Sequence, residues 1–219
     1  MLLYYYMKIK KIGHCCLVIE TKGIKIMTDP GNYTNLQNEE LDIDLILITH
    51  EHKDHLHIES LKEVIKNNPN VSIFTNNSAA KILKEENIGY SILIDGESTL
   101  FNNVSLAAFG NKHAEIFDGI LQVENTGYFI DDRLFYGGDS FYIPNKKVEI
   151  LALPVSGPWV CIKDTINYAI KISPKYCFPV HDGMIMEDKI EPTRRIPETI
   201  LNKFDISFLR MESGDSLTF

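Results

Sequence analysis

Residues 44–49, Asp-Leu-Ile-Leu-Ile-Thr, form a nearly continuous apolar run, and the residues that follow at once include His50, His52, Asp54 and His55. A strand that is apolar at successive positions is covered on both faces, which calls for a layered protein with its sheet inside. The histidine cluster therefore emerges at the end of a buried strand. Four of the chain's seven histidines, counting His57, lie within eight residues.

The rest of the 219-residue chain supplies the matching layers. Short β-rich runs open it (MKIKKIG, CCLVIET, GIKIMTD), broken by Gly13 and by Lys22-Gly23. Helical spacing over 58–68 places Ile58, Leu61, Val64 and Ile65 on one face. A strand follows at 71–76, then a helix over 78–89 with Asn77 or Ser78 as N-cap and Gly89 as its stop. From about Ile92 to Tyr136 the pattern returns to short strands, YSILI, VSLAAFG, GILQVE, TGYFIDD and RLFYGG. VEILALPV and PKYCFPVH read as buried strands, KDTINYAIKIS and PETILNKF as helices, and ISFLR and SLTF as closing strands. Two successive sets of strands and helices predict an α/β protein, two packed sheets with helices outside, as one domain over 1–219.

Composition bounds the function classes. A net charge of −8 argues against a general nucleic-acid binder, which would carry a basic patch. The start, MLLYYYMKIKK, lacks a charged region ahead of a long apolar one, so no signal peptide is expected, and Met7 already begins like a first strand. No apolar run is long enough to span a bilayer, and a cytoplasmic protein is expected. Cys15, Cys16, Cys161 and Cys177 form no Cys-x-x-Cys motif and read as reduced thiols.

Alternation in an extended segment sets His50 and His52 about 7 Å apart on one side, where two imidazoles grip one ion. Asp54 and His55 are free to turn toward a second. Nitrogen with carboxylate oxygen suits zinc and also accepts manganese or iron. Two ligands per ion are too few, and His14, His113 and His181 are the remaining histidines. His113 and His181 follow strands, and Asp139 follows paired glycines in LFYGGDS.

With these residues the chain resembles the metallo-β-lactamase fold superfamily of dinuclear metallohydrolases. The family's His-x-His-x-Asp-His loop matches His50, His52, Asp54 and His55; its later ligands match His113, Asp139 and His181. The resemblance implies a four-layer αββα sandwich of two mixed sheets flanked by helices. It implies two divalent metal ions: His50, His52 and His113 on one, Asp54, His55 and His181 on the other, and Asp139 bridging. IMTDP resembles the family's early strand ending in aspartate, where Asp29 either orients the histidine loop or simply forms a turn before Pro30. GHCCLVIET, LALPVSGPW and FPVHDG resemble the subgroup containing ascorbate-6-phosphate lactonase, which places His14 near the metals and is compatible with a homo-oligomer. His57 breaks the ligand pattern and reads as an outer residue. Ser156 and Trp159 either border the pocket or lie in a plain connecting loop.

The chemistry expected from such a site is hydrolysis of an ester, lactone or phosphodiester by a hydroxide shared between the two ions, on a small and anionic substrate. Asp54 would orient that nucleophile. His14 or Lys112 would serve the leaving group, unless metal-held water does. An iron-dependent redox enzyme of sulfur-dioxygenase type and an RNA-processing nuclease are the rival readings. Diiron flavoproteins of this fold have Glu in place of His52 and carry a flavodoxin domain too large for this chain. The nucleases have a protruding arm absent from this sequence, and true β-lactamases lack the aspartate corresponding to Asp139.

Overall fold

The structure, a computed structural model, describes residues 6–219, so residues 1–5 and the signal-peptide expectation resting on them lie outside it. The first sheet contains β1 (Met7–Gly13), β2 (Cys16–Thr21), β3 (Ile24–Thr28), β4 (Leu45–Leu47), β5 (Ser72–Thr75) and β6 (Ser91–Ile92). The second contains β7 (Ser98–Phe101), β8 (Val104–Phe109), β9 (Gly127–Ile130), β10 (Leu134–Tyr136), β11 (Ile150–Pro154), β12 (Tyr176–Val180) and β13 (Ser207–Phe208). The last strand, β14 (Ser216–Thr218), returns to pair with β1. The sheets read β14-β1-β2-β3-β4-β5-β6 and β13-β12-β11-β10-β9-β8-β7. Both are mixed in the same way: the β1–β2–β3 and β8–β9–β10 ladders are antiparallel, and each continues into parallel strands.

Alternation along the strands explains the layering. Leu45 and Leu47 join Leu17, Ile19, Tyr128, Tyr136 and Phe178 in the core between the sheets. Ile46 and Ile48 point the other way, under α1 (Ile58–Asn67) and α2 (Asn77–Glu85), with Leu61, Val64 and Leu83. On the far side, Leu151, Leu153 and Cys177 pack beneath α3 (Ile162–Ile172) and α4 (Glu191–Leu201), against Ile166, Ala169 and Leu201. Both faces of β4 are thus dry, which is why its sequence does not alternate. The layers are helix, sheet, sheet, helix. Truncating a core residue such as Leu61, fully buried, to Ala costs about 2–5 kcal/mol.

Several boundaries differ from expectation. The cap of α2 is Asn76, whose side chain accepts from Ala79 N–H at 3.0 Å, one residue before the expected cap. That helix ends at Glu85, and Asn87 takes the left-handed conformation (φ 57°) that Gly89 was expected to supply. GILQVE forms no strand: Ile120 and Leu121 face solvent, and the segment finds no ladder partner. The short β7 was missed because its residues are mostly exposed. Helix α4 begins at Glu191 with Pro192 in its first turn, so Pro197 lies inside it and does not start it. Among the described residues no helix is long and apolar enough to cross a membrane.

Candidate metal centre

The expected site residues follow the ends of strands: His14 follows β1, Asp29 follows β3, the histidine loop follows β4, His113 follows β8, Asp139 follows β10 and His181 follows β12. The two sheets therefore deliver them to one rim, the position where parallel strands of an α/β fold present a site. The loop after β4 is a tight turn, not the extended segment expected: His55 N–H and Leu56 N–H both donate to the His52 carbonyl, at 2.9 and 2.7 Å. His50 and His52, both at or before the start of that turn, bring their rings together, His50 Nε2 lying 3.1 Å from His52 Nδ1.

Two sets of donor atoms converge, each with its members within 4.8 Å of one another: His50, His52, His113 and Asp139, and Asp54, His55, Asp139 and His181. Asp139 belongs to both. Its Oδ2 lies 3.2 Å from His113 Nε2 and 2.9 Å from His181 Nε2, and its Oδ1 lies 3.0 Å from His55 Nε2. Asp54 Oδ2 stands 3.7 Å from His55 Nε2 and 3.6 Å from His181 Nε2.

Hydrogen bonds on the outer edges of the rings determine which nitrogen faces inward. Asp29, fully buried, accepts from Thr49 N–H (2.8 Å), Thr49 Oγ1 (2.7 Å), His55 Nδ1 (2.7 Å) and the Tyr136 hydroxyl. A carboxylate only accepts, so His55 carries its outer proton on Nδ1 and Nε2 is the nitrogen that faces inward. Thr49 spends its proton on Asp29, so its oxygen accepts from His50 Nδ1 at 3.0 Å. His113 Nδ1 meets the Ala114 carbonyl at 2.6 Å, which likewise turns Nε2 inward. Asp29 thus orients the loop, and the plain-turn alternative gives way.

His55 Nε2 and Asp139 Oδ1 are both buried, both without a hydrogen-bond partner, and 3.0 Å apart. An imidazole nitrogen and a carboxylate oxygen at that distance require a positive charge between them, a proton in metal-free protein or a cation that displaces it. The donor set of imidazole nitrogen and carboxylate oxygen fits zinc, manganese or iron.

His14 differs from the other rings. Burial draws its pKa down to about 4, so the ring is neutral at pH 7 with one proton. Its Nδ1 accepts from Gly183 N–H at 3.0 Å, so that proton sits on Nε2, 3.2 Å from Asp54 Oδ2. His14 is a donor aimed at Asp54. It also approaches Cys15, His55 and His181 as a third donor group, but its Nδ1 is already taken and burial pushes the Cys15 thiol up to about 11. Although burial raises the Asp54 carboxyl, the His14 hydrogen bond and the charge of His55 bring it below its ordinary value.

His57 lies outside the cluster, capping α1 by accepting from Ser60 N–H. Trp159 donates its indole N–H to Asp139 Oδ2 at 3.2 Å and so reaches the site; Ser156 is half-buried in the same loop. Lys112 is exposed. Sequence reasoning passed over Asn125, Thr49, Asn76 and Tyr136. Asn125 donates to the Gly137 carbonyl (2.9 Å) and accepts from Asp139 N–H (3.0 Å), holding the turn that carries Asp139. Asn76 donates to the Thr49 carbonyl at 2.7 Å. Gly31 allows the Asp29 loop to lie directly on the histidine loop, since a β-carbon there would sit 1.8 Å from the Asp54 carbonyl oxygen.

Residues 8–181 match the family described as "Beta-lactamase superfamily domain". A Mycobacterium tuberculosis protein, Rv0786c, is 27% identical over 187 residues, covering 83% of this chain and 87% of the relative. A UPF0173 metal-dependent hydrolase of Thermoplasma volcanium is 28% identical over 196 residues, covering 83% and 86%. The solved structure of Igni18, a metallo hydrolase from the archaeon Ignicoccus hospitalis, superposes with a TM-score of 0.75 at 18% identity over 98% of both chains. With most of its length matched by the family and the four layers in place, the chain belongs to the beta-lactamase superfamily and takes the metallo-β-lactamase fold.

Proposed function

We propose that this metal-dependent hydrolase of the metallo-β-lactamase superfamily works with two divalent cations, and that it opens an ester, lactone or phosphodiester bond in a small, anionic substrate. His50, His52 and His113 would hold one cation, Asp54, His55 and His181 the other, and Asp139 both. The observation that carries this reading is the buried, unpartnered face-off of His55 Nε2 and Asp139 Oδ1 at 3.0 Å. When bound, such cations bring the pKa of water to about 7 and polarise the electrophile's oxygen.

The chain's own residues do the rest. Asp29, Thr49 and the Ala114 carbonyl hold three ring protons on the outside and turn the Nε2 atoms inward as the ligating nitrogens. Two carboxylates, Asp54 and Asp139, offset only part of the charge of two dications, so the site favours a substrate that gains negative charge as it reacts. His14 Nε2–H fixes the orientation of Asp54, leaving that carboxylate to orient the nucleophile. Zinc is the cation this donor set favours, with manganese and iron as alternatives. The net charge of −8 supports a small-molecule substrate over a nucleic acid.

The test is metal content of the purified protein followed by a panel of lactones, esters and phosphodiesters. About two ions per chain with metal-dependent turnover is expected. Fewer than two ions, or an iron-loaded protein that consumes oxygen and hydrolyses nothing, would overturn the reading. Asp54→Asn separates its two roles: turnover should fall far more than metal content, whereas equal losses would leave Asp54 a ligand only.

A further inference from the structure

Behind the site lies an ion network with no part in the reading above. Lys11 and Arg194 are each 1% exposed and Asp182 is 6% exposed. Lys11 Nζ, from β1, donates to Asp182 Oδ2 at 2.5 Å and to the carbonyls of Pro179 and Met211 at 3.0 and 3.3 Å, which uses all three ammonium hydrogens. Arg194 Nη2, from α4, donates to the same Asp182 oxygen. Its Nε and Nη2 also grip Glu212 at 2.8 and 2.9 Å. Two cations and two anions balance.

Burying Lys11, Asp182 and Arg194 together, with Glu212 exposed at the edge, gains little stability over an apolar packing of equal volume, which leaves a positioning role. That role follows from the neighbours of Asp182. His181 precedes it in the left-handed conformation (φ 61°), its N–H donating to the His14 carbonyl at 3.2 Å. Gly183 follows it, donating its N–H to His14 Nδ1 at 3.0 Å, and a β-carbon at Gly183 would press on the His14 side chain at 3.0 Å. The turn at 181–183 thus sets two rings at once, and Asp182 is the only one of its side chains tied to β1 and α4.

We propose that Asp182, clamped between Lys11 and Arg194, is a positioning residue of the metal centre: it holds the 181–183 turn so that His181 enters the second cation position and His14 is locked as the Nε2–H tautomer, a donor to Asp54 and not a metal ligand. The part concerning His181 rests on the two-cation reading. The part concerning His14 does not, and it is testable without metal.

The experiment is long-range ¹H–¹⁵N correlation spectroscopy of metal-free protein labelled at histidine, for wild type and Asp182→Asn, with stepwise zinc titration of both. In wild type His14 should carry its proton on Nε2. In Asp182→Asn the His14 signals should shift toward a tautomer mixture, and the second equivalent of zinc should bind at least tenfold more weakly while the first changes less than about threefold. Wild-type His14 protonated on Nδ1 overturns the proposal even if no variant folds. So does a folded Asp182→Asn protein with wild-type tautomer and both zinc affinities retained. Should wild type bind fewer than two ions, the two-cation reading fails while the His14 signals still judge Asp182. Arg194→Lys, which keeps the charge but loses the fork, is the second variant if Asp182→Asn does not fold, and the same shifts are expected in weaker form; their absence overturns the proposal.

Discussion

The indole of Trp159 donates its N–H to Oδ2 of Asp139 at 3.2 Å, on the same oxygen that faces His113 at 3.2 Å and His181 at 2.9 Å. One carboxylate oxygen thus serves a neutral donor from a connecting loop and two imidazoles from different strands. Trp159 is 8% exposed, stacked edge-on to Phe141 and His113, and is the chain's single tryptophan. Trp159→Phe keeps the ring packing and loses the N–H. Metal affinity should fall about tenfold, the lower end of what such outer contacts contribute, with the melting temperature nearly unchanged. Chelator competition and thermal unfolding measure the two. In wild type, tryptophan fluorescence should change on metal removal, since no other indole contributes.

Asp29 dictates the tautomer of His55, and Asp29→Asn reverses that instruction. An amide placed there can offer N–H where the ring nitrogen, the Thr49 hydroxyl and the Tyr136 hydroxyl all need an acceptor. At least one buried donor is left unpaired, at a cost of about 1–3 kcal/mol. The variant should unfold at lower denaturant and bind metal about 10–100-fold more weakly. Denaturation of metal-free protein separates the two effects, because only the first persists without metal.

The layers and the converging residues were legible in the sequence because they depend on signals local to each segment. The apolar run before His50 marks a doubly covered strand, and His-x-His-x-Asp-His is dense enough to stand out unaided. His113, Asp139 and His181 were found by their places after strands. Asn125, Tyr136 and Thr49 gave no such signal, because an Asn in a loop and a Tyr in a strand are ordinary there; their roles exist only once remote segments meet. GILQVE misled for the opposite reason. Its composition suits a strand, but the chain from His113 to Val123 closes on itself through His113 N–H to the Val123 carbonyl at 3.0 Å, leaving Leu121 90% exposed. The tight turn at His52–Leu56 was equally invisible, since its backbone bonds leave no mark on residue type.

Gly31→Ala tests the seam between the Asp29 loop and the histidine loop. An added methyl would overlap the Asp54 backbone at 1.8 Å, and Asn32 N–H and the Pro30 carbonyl already tie the two loops, at 2.9 and 3.1 Å. Neither loop has room to retreat without breaking those bonds. A loss of about 2–4 kcal/mol is expected by urea denaturation, with metal affinity lowered as Asp54 is displaced. Unchanged stability would mean the loops separate freely.

Protons and metal should compete at the His55–Asp139 pair. Burial pulls the His55 imidazole down most strongly, but Asp139, Cys15 and Asp29 together outweigh it and hold the ring well above 6.5. Burial pushes the Asp139 carboxyl up, yet His55 and His181 hold it well below 3.8. Metal-free protein therefore keeps a proton between the two. The raised imidazole stabilises the metal-free fold fully below pH 6.5 and ceases to as pH climbs through its folded value. The depressed carboxyl stabilises it above pH 3.8 and ceases to as pH falls through its own. The pair is thus most stabilising to the metal-free fold between 3.8 and 6.5. A cation entering there must expel the proton, so its affinity should rise with pH between 6 and 8, toward about tenfold per unit wherever the imidazole is still protonated, with up to about one proton released per ion at that position. Chelator competition across that range gives the slope, and proton release into weakly buffered solution gives the count. A flat affinity profile would mean that His55 is already bare in the metal-free protein.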